Sequence, residues 1–565
     1  MTIYYVSNVA SNGFVVGNDS NDGLTKATAF LTFGKANASA ANGDTIYFND
    51  GTYLSSDGAS GGTSHTLTKA VAIISETALG AKFTASGVGA GSTVFTVNVN
   101  STLPVSMINI DIDCANTQER CFTTSNPASK PTVTLTGIRF KDFLAFGWRD
   151  PNATAHALRI VNCTVSATPT ASACAVVDYS SATFVDIAVN GLVFSSYTPS
   201  SNAVNFGLNL RTVAGRTSAT ASITGITGTA HTGTGGASAD LWMVHLQSIS
   251  NAIVQDCNFT VIQDAGALEV VGIKTRALNS LDCNGTIIRR NTINHQGSAG
   301  YGIQIGNSTS GASDNLCENA QIYQNTITGN SSGSNTPHGI QVNYQANASV
   351  YRNLVTQMNP CILWQRMSGG TAYSNICRSN YGDRGALYVK GSTGGSFVNN
   401  TVYINNASGI GCFINVGDDA VNTSAFTVQN NLFYADVASA LFINVAASQT
   451  ATFTTNLYWS TQSLAANSWS YQGANYSTFP AWQTAQEGTA KFGDPRFLNP
   501  AGNAFQIMKG SAAIRSGTAN PLVATDFIGR SFFNPPSVGA MEFVGYGSVQ
   551  RIGHRLHQPM PGVVR

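Results

Sequence analysis

From about Asn251 a short phrase recurs along the chain: an apolar residue, any residue, one or two polar residues, Asn, any residue, and a second apolar residue. It is centred on Asn258, Asn291, Asn325, Asn353, Asn375, Asn400, Asn431 and Asn456, with an earlier copy at Asn162. The steps from Asn258 are 33, 34, 28, 22, 25, 31 and 25 residues. A floor near 22 with variable excess describes a constant coil into which loops are inserted. The apolar positions alternate and are often β-branched, which is strand patterning.

A second phrase lies between successive copies of the first. It reads Gly272-Ile-Lys-Thr-Arg276, Gly302-Ile-Gln-Ile-Gly306 and Gly339-Ile-Gln-Val-Asn343, then decays to Cys361-Ile-Leu-Trp-Gln365, Ala386-Leu-Tyr-Val-Lys390 and Ala440-Leu-Phe-Ile-Asn444. Each period therefore holds at least two short strands in fixed order. A helical solenoid would need long runs of helix formers, which this Gly and Asn density excludes. Stacked coils of short strands make an all-β parallel β-helix, each strand pairing with its equivalent about 4.8 Å further on. From Asp44 to Trp459, roughly 14–16 coils of about 25–30 residues would extend for about 70 Å. The recurrent Asn is expected to stack at a corner, where its amide bonds the next Asn and the turn backbone.

Composition narrows the classes. Of 565 residues, 29 are Lys or Arg and 28 are Asp or Glu, so charged residues make up only 10% and the net charge is +1. Such a chain has no global field for nucleic acid. With 43% hydrophobic residues it is not a disordered polyelectrolyte either. No run approaches the length of a spanning helix, and the first residues show no basic and apolar signal segment. The ten cysteines form no CxxC. They read as small buried hydrophobes, with a Cys114–Cys121 disulfide as the alternative.

The two ends carry a resemblance. Near the start stand Gly17-Asn-Asp-Ser-Asn-Asp-Gly23, Gly43-Asp-Thr-Ile-Tyr-Phe48 and Gly51-Thr-Tyr53. Near the end stand Gly493-Asp-Pro-Arg-Phe497, Gly510-Ser-Ala-Ala-Ile514, Asp526-Phe-Ile-Gly529 and Val538-Gly-Ala-Met-Glu542. With the repeats between them, these resemble the pectate-lyase-like right-handed parallel β-helix superfamily, and within it bacteriophage tailspike and tail-fibre β-helix proteins. The resemblance implies a right-handed solenoid with an N-terminal cap at 1–55, the β-helix at 56–480 and a C-terminal closing segment at 481–544. A basic tail at 545–565 is offered as a docking peptide. Ala512, Ala513 and Arg515 depart from the usual closing pattern. Asp19–Gly23 lacks the spacing of a calcium loop, so it is expected to be a hydrogen-bonded turn, and no cofactor or metal is expected. Gly417-Asp418-Asp419 is similar to the paired carboxylates of polygalacturonases, but the other motifs of that family stand in the wrong order.

Aligning the second phrase exposes two outward columns. One is Lys274, Gln304, Gln341, Leu363, Tyr388; the other is Arg276, Gly306, Asn343, Gln365, Lys390. His295, His338, Arg366, Asp383 and Arg384 are expected in loops beside them. Amides, cations and a ring suit a glycan, so Gln304, Gln341, Asn343, Gln365 and Tyr388 are the expected substrate-binding residues. A polysaccharide lyase would draw its base and its carboxylate-neutralising cation from Lys274, Arg276, Lys390 or Arg366. A glycosidase would draw two carboxylates from Glu269, Asp264 and Asp383.

Three functions follow from these features. The preferred one is a virion-surface protein of tailspike type, a homotrimer. It would recognise, and in its enzymatic form depolymerise, host cell-surface polysaccharide, with the tail docking on other virion subunits. The alternatives are a secreted bacterial polysaccharide lyase or glycosidase, and a non-enzymatic adhesin or structural spike.

Overall fold

The structure, a computed structural model, describes residues 1–545 apart from 57–62, 87–88, 126–128, 152–155, 172, 180–185, 200–202, 212–219, 234–239, 265–267, 278–282, 307–316, 331–336, 380–384, 406–411, 418, 420 and 439. The expected docking tail lies outside the described residues from 546 onward.

Each coil contributes three short strands, and each strand pairs in parallel with its equivalent in the next coil. On the first face, Ile287–Arg289 pairs with Gln321–Tyr323, then Ser349–Tyr351, then Thr371–Tyr373. On the second, Thr292–Gln296 is followed by Thr326–Thr328, Leu354–Thr356 and Ile376–Ser379. On the third, Glu269–Arg276 is followed by Gly300–Ile305, His338–Asn343, Ile362–Gln365 and Leu387–Lys390. Among the described residues the third face forms a 16-stranded sheet, parallel except for its last strand, while the first two faces merge into one 30-stranded sheet. Strand-to-parallel-strand connections in twisted sheets are right-handed, and the molecule is a right-handed parallel β-helix. No helix among the described residues is long and apolar enough to cross a membrane.

The alternation read from the sequence fills the interior. In-register Ile288, Ile322, Val350, Ala372, Phe397, Val428 and Phe453 stack inward from the first face and are buried. The glycines of the Gly-Ile phrase allow the third face to bend toward this core. A Cβ on Gly272 would meet the Gly302 carbonyl oxygen at 2.5 Å, and one on Gly302 would meet that of Gly339 at 2.8 Å.

The corner between the first and second faces is built from two adjacent columns. The first holds left-handed residues, among them Gly137, Asn162, Gly191, Gly225, Asp256, Arg290, Gln324, Arg352, Ser374, Asn399 and Asn430. The second is the Asn ladder. The Asn291 side-chain amide donates to Asn325 Oδ1 at 3.0 Å, and the pattern continues through Asn353, Asn375, Asn400, Asn431 and Asn456 at 2.9–3.0 Å. Each of these amides also donates to a backbone carbonyl of the preceding coil, as Asn375 does to Val350 at 2.8 Å. Two expected members do not belong. Asn258 lies one residue beyond the rung, which Cys257 occupies, and Asn162 stands in the left-handed column. In the earlier coils the rung is apolar: Ile138, Cys163, Leu192, Ile226 and Cys257.

The N-terminal end is closed by the helix Phe33–Ser39, whose Thr32 caps it by accepting from Lys35 N. Asp19 fixes the approach to that helix: its carboxylate accepts from Leu31 N, Thr32 N and Thr32 Oγ1 at 2.7–3.0 Å. Asp22 similarly accepts from Leu24 N and Thr28 Oγ1.

At the other end, Asn456 hands the ladder to Glu487, which accepts from Asn456 N and Nδ2 at 2.8 Å, from Tyr458 Oη at 2.7 Å and from Trp482 Nε1 at 3.1 Å. Trp482 comes from the helix Phe479–Ala485, which covers the core. Residues 493–543 then double back as a strap on the outside of the second face. Phe497, Phe505, Ile507, Val538, Ala540 and Met541 cover Leu354, Ile376, Tyr403, Leu432 and Leu457. Side chains of the left-handed column tie the strap down: Arg352 to Phe527 O, Ser374 to Thr525 O, Asn399 to Ser537 O and Asn430 to Thr518 O. The segment expected to close the end thus divides between an end cap and a lateral strap.

Of the cysteines, Cys283 and Cys317 are joined by a disulfide between neighbouring coils, and the other eight are buried free thiols. Cys114 and Cys121 are among the free ones, 3.5 Å apart.

Candidate functional site

The first outward column is observed in the expected register: Lys274, Gln304, Gln341, Leu363 and Tyr388 are successive partners on the third face. Asn343, Gln365 and Lys390 are likewise in register in the second. Neither column is a solvated stripe. Gln304, Gln341 and Asn343 are buried, and Gln365, Tyr388 and Lys390 are half-buried. The glutamines pair along the axis, Gln304 Nε2 donating to Gln341 Oε1 at 3.0 Å and Gln341 Nε2 to Gln365 Oε1 at 3.5 Å.

The densest chemistry surrounds Lys274. Its ammonium lies 3.7 Å from the centre of the Trp242 ring and 3.4 Å from Glu269 Oε1. Burial lowers the Lys274 pKa from its ordinary value, with Glu269 opposing. Arg276 extends over the same ring at 5.4 Å and donates twice to Gln247 Oε1, at 3.2 and 3.0 Å. Burial, and then the nearby Arg211, lower its pKa too. Trp242 and Gln247 come from the strand Asp240–Gln247, which runs in register with Glu269–Arg276 so that Asp240 lies beside Glu269 and His245 beside Lys274.

Two carboxylates therefore sit on neighbouring strands at one edge of this cluster. Burial, and then the charge of Glu269, push the Asp240 carboxyl up to about 6. Glu269 is instead ion-paired by Lys274. Behind them His245 is fully enclosed. Its Nδ1 bonds Asn209 Oδ1 at 2.9 Å, and Asn209 Nδ2 donates to Asp178 Oδ1 at 2.9 Å. Burial and the charges of Arg276, Lys274 and Arg211 hold His245 well below the usual histidine range. Phe206 and Trp242 pack on this imidazole, and Tyr301 meets His338 edge-on at 5.1 Å two coils further.

Other candidates lie elsewhere. Arg366 is bound in a two-point pair by Asp419, at 2.7 and 3.1 Å, and stacks on Tyr344. Lys390 lies 5.7 Å from the Tyr388 ring centre. Four coil steps, about 19 Å, separate Lys274 from Tyr388, so these residues form a second group. Asp264 is taken up by His231 Nδ1 and Gly233 N. His295 is not in a loop: it points inward from the strand Thr292–Gln296, bonds Val270 O at 2.9 Å, and is lowered to about 4 by burial. His338 opens a strand of the third face. Asp383, Arg384 and Asp418 lie outside the described residues.

Asp240, Trp242 and His245 were not foreseen. Their coil carries Met243 where the next ones carry Gly272 and Gly302, so the Gly-Ile phrase is hidden there. Matching His245-Leu-Gln247 to Lys274-Thr-Arg276 would have found them.

No family model and no curated protein matches the chain. Solved structures similar to it include a complex of XylC with xylose, at 12% identity over 96% of this chain and 98% of that one, TM-score 0.37. Another is pectate lyase Pel9A, at 15% over 96% of each chain, TM-score 0.23. A third is a PL6 alginate lyase complexed with a trisaccharide, at 11% over 84% of this chain and 91% of that one, TM-score 0.28. The parallel β-helix architecture expected from the sequence is the one observed.

Proposed function

We propose that this protein is an extracellular polysaccharide-cleaving β-helix protein that hydrolyses glycosidic bonds with Asp240 and Glu269. The observation that carries this reading is a carboxylate pair whose members are set apart by their surroundings. Asp240 is raised to about 6 by burial and by its neighbour, while Glu269 is held by Lys274. A raised carboxyl beside an ion-paired one offers an acid and a partner carboxylate from the same functional group. Asp240 would protonate the leaving oxygen. Glu269, ion-paired to the Lys274 ammonium, would attack the anomeric carbon or activate water. Half-buried Tyr301 offers a ring for a sugar. A Cys283–Cys317 disulfide suits an oxidising compartment.

The test is incubation with a panel of bacterial capsular and lipopolysaccharide glycans. New reducing ends are expected from the native protein, with a loss of about 10²-fold or more in Glu269→Gln. An unsaturated product absorbing in the ultraviolet would instead mark elimination and overturn the hydrolytic reading. A finer form of the proposal puts this activity on a virion, in a tailspike-type trimer docked through 545–565. Its check is the mass in solution, which should be that of three chains; a monomer would contradict it.

A further inference from the structure

The chain leaves the second face at its last strand, Lys491–Phe492, and turns through 493–497 to become the strap. An open patch lies beside that turn. Its floor is Tyr434 and Asp436 from one coil and Trp459 and Thr461 from the next. Tyr434 and Trp459 are ladder partners, and Thr461 N continues the pairing to Ala435 O. Phe492, 37% exposed, meets the Trp459 ring at 5.5 Å, and Phe497 of the strap meets Tyr434 at 5.8 Å. Exposed aromatic side chains are scarce: among the described residues Phe533 alone joins Phe492. Open rings rimmed by polar groups mark a contact site.

The polar groups around these rings are accessible too. Asp436 accepts from Thr461 Oγ1 at 2.6 Å and from Tyr403 Oη at 3.3 Å, and it pairs with no cation among the described residues. Asp494 accepts from Arg496 N at 2.7 Å. Both carboxylates belong to exposed residues. Both also act on Tyr434, whose pKa is raised by burial and then by their charges. Trp459 and Tyr434 are half-buried, and Trp459 Nε1 and Tyr434 Oη have no hydrogen-bond partner among the described residues. The patch thus combines rings, two donors and two carboxylate acceptors, all within reach of solvent.

We propose that this patch is a second, non-catalytic glycan site. It holds a sugar unit with its C–H face on Trp459 and Phe492 and its hydroxyls on Asp436, Asp494 and Tyr434. A pyranose has an apolar face and a polar edge, which matches rings bordered by polar groups. Its hydroxyls donate to the carboxylates and accept from Trp459 Nε1 and Tyr434 Oη. A purely apolar partner would bury both carboxylates unpaired, at a cost that a polyol avoids. Asn258–Ile262, the second-face strand of the coil that carries Glu269, lies seven coil steps before Trp459, about 34 Å. The patch therefore works apart from Asp240 and Glu269. It keeps a polymer on the surface and raises its local concentration. The inference takes its ligand class from the carbohydrate reading above.

The experiment is calorimetric binding of the full chain to size-matched xylo-, gluco-, galacto- and galacturono-oligosaccharides. At least one set should bind the native chain. Trp459→Ala should weaken that binding about tenfold. Asp436→Ala, a change at an exposed position, should weaken it to a similar degree and serves where Trp459→Ala alters thermal unfolding. Glu269→Gln should bind as the native chain does. No binding of any set, or unchanged affinity in a folded variant, overturns the proposal. So does a change of mass in solution without a change in glycan affinity, which would make a second copy the occupant. Reducing ends are measured in the same samples. A glycan bound through Trp459 and left uncut contradicts hydrolysis by Asp240 and Glu269 but not this inference. A glycan cut by the native chain and bound unchanged by Trp459→Ala does the reverse.

Discussion

Glu487 shows how much one side chain can carry in a solenoid. It ends the Asn ladder and gathers four donors, yet burial still pushes its carboxyl up to about 7 from an ordinary 4.5. A raised carboxyl favours folding while it is protonated in the fold. That contribution is complete below about 4.5 and is lost as pH rises toward 7 and beyond. The native protein should therefore lose stability between pH 4.5 and 7.5, on the order of 3 kcal/mol, and Glu487→Gln should flatten the change. Urea unfolding at a series of pH values checks this; a slope as steep in the variant as in the native chain would refute it. At this scale the sequence was legible only where the repeat phrase was intact. Lys274 and Glu269 could be placed because Gly272-Ile273 marks their coil, whereas Met243 masks the coil of Asp240. The ion pair of Arg366 with Asp419 joins residues 53 apart, and no local pattern reports it.

At the scale of the element, the corner is a ladder in which each Asn binds both its neighbours and the backbone. Asn375 donates to Asn400 and Val350 O, and accepts from Asn353 N and Nδ2. Asn375→Leu would leave buried donors and an acceptor unpaired. It should cost about 3–5 kcal/mol, read as a lowered midpoint in urea with the denaturant slope retained. A cost near that of a surface substitution would mean that the ladder is decorative. The rungs were read correctly from Asn291 onward because that phrase keeps a fixed phase. It slipped by one residue at Asn258, and a one-residue slip carries a side chain from one side of a strand to the other. There Cys257 takes the interior rung and Asn258 faces out.

At the scale of the whole molecule, the low charge of the chain has a structural cause. Turns are satisfied by neutral amides, and both ends of the core are closed by short helices. The strap at 493–543 protects the apolar outer patch of Leu354, Ile376, Leu432 and Leu457. A chain ending at Phe492 should keep its β-rich circular dichroism but expose that patch. Hydrophobic dye binding and self-association by light scattering should both rise. A monodisperse monomer with no dye binding would show that the strap is dispensable. The fold was legible because each coil repeats the same apolar spacing. The path of the strap was not, because its partners are left-handed residues 88 to 175 positions away, among them Arg352 and Asn430.

The central claim is that Asp240 is the acid and Glu269 its ion-paired partner. The pH dependence of glycan cleavage by the native protein and by Asp240→Asn tests it most directly. Native activity should fall as pH rises through about 6, where Asp240 loses its proton. Asp240→Asn should lose that limb and about 10²–10⁴-fold in rate. Native-like cleavage by Asp240→Asn, with the same pH limb, would contradict the claim.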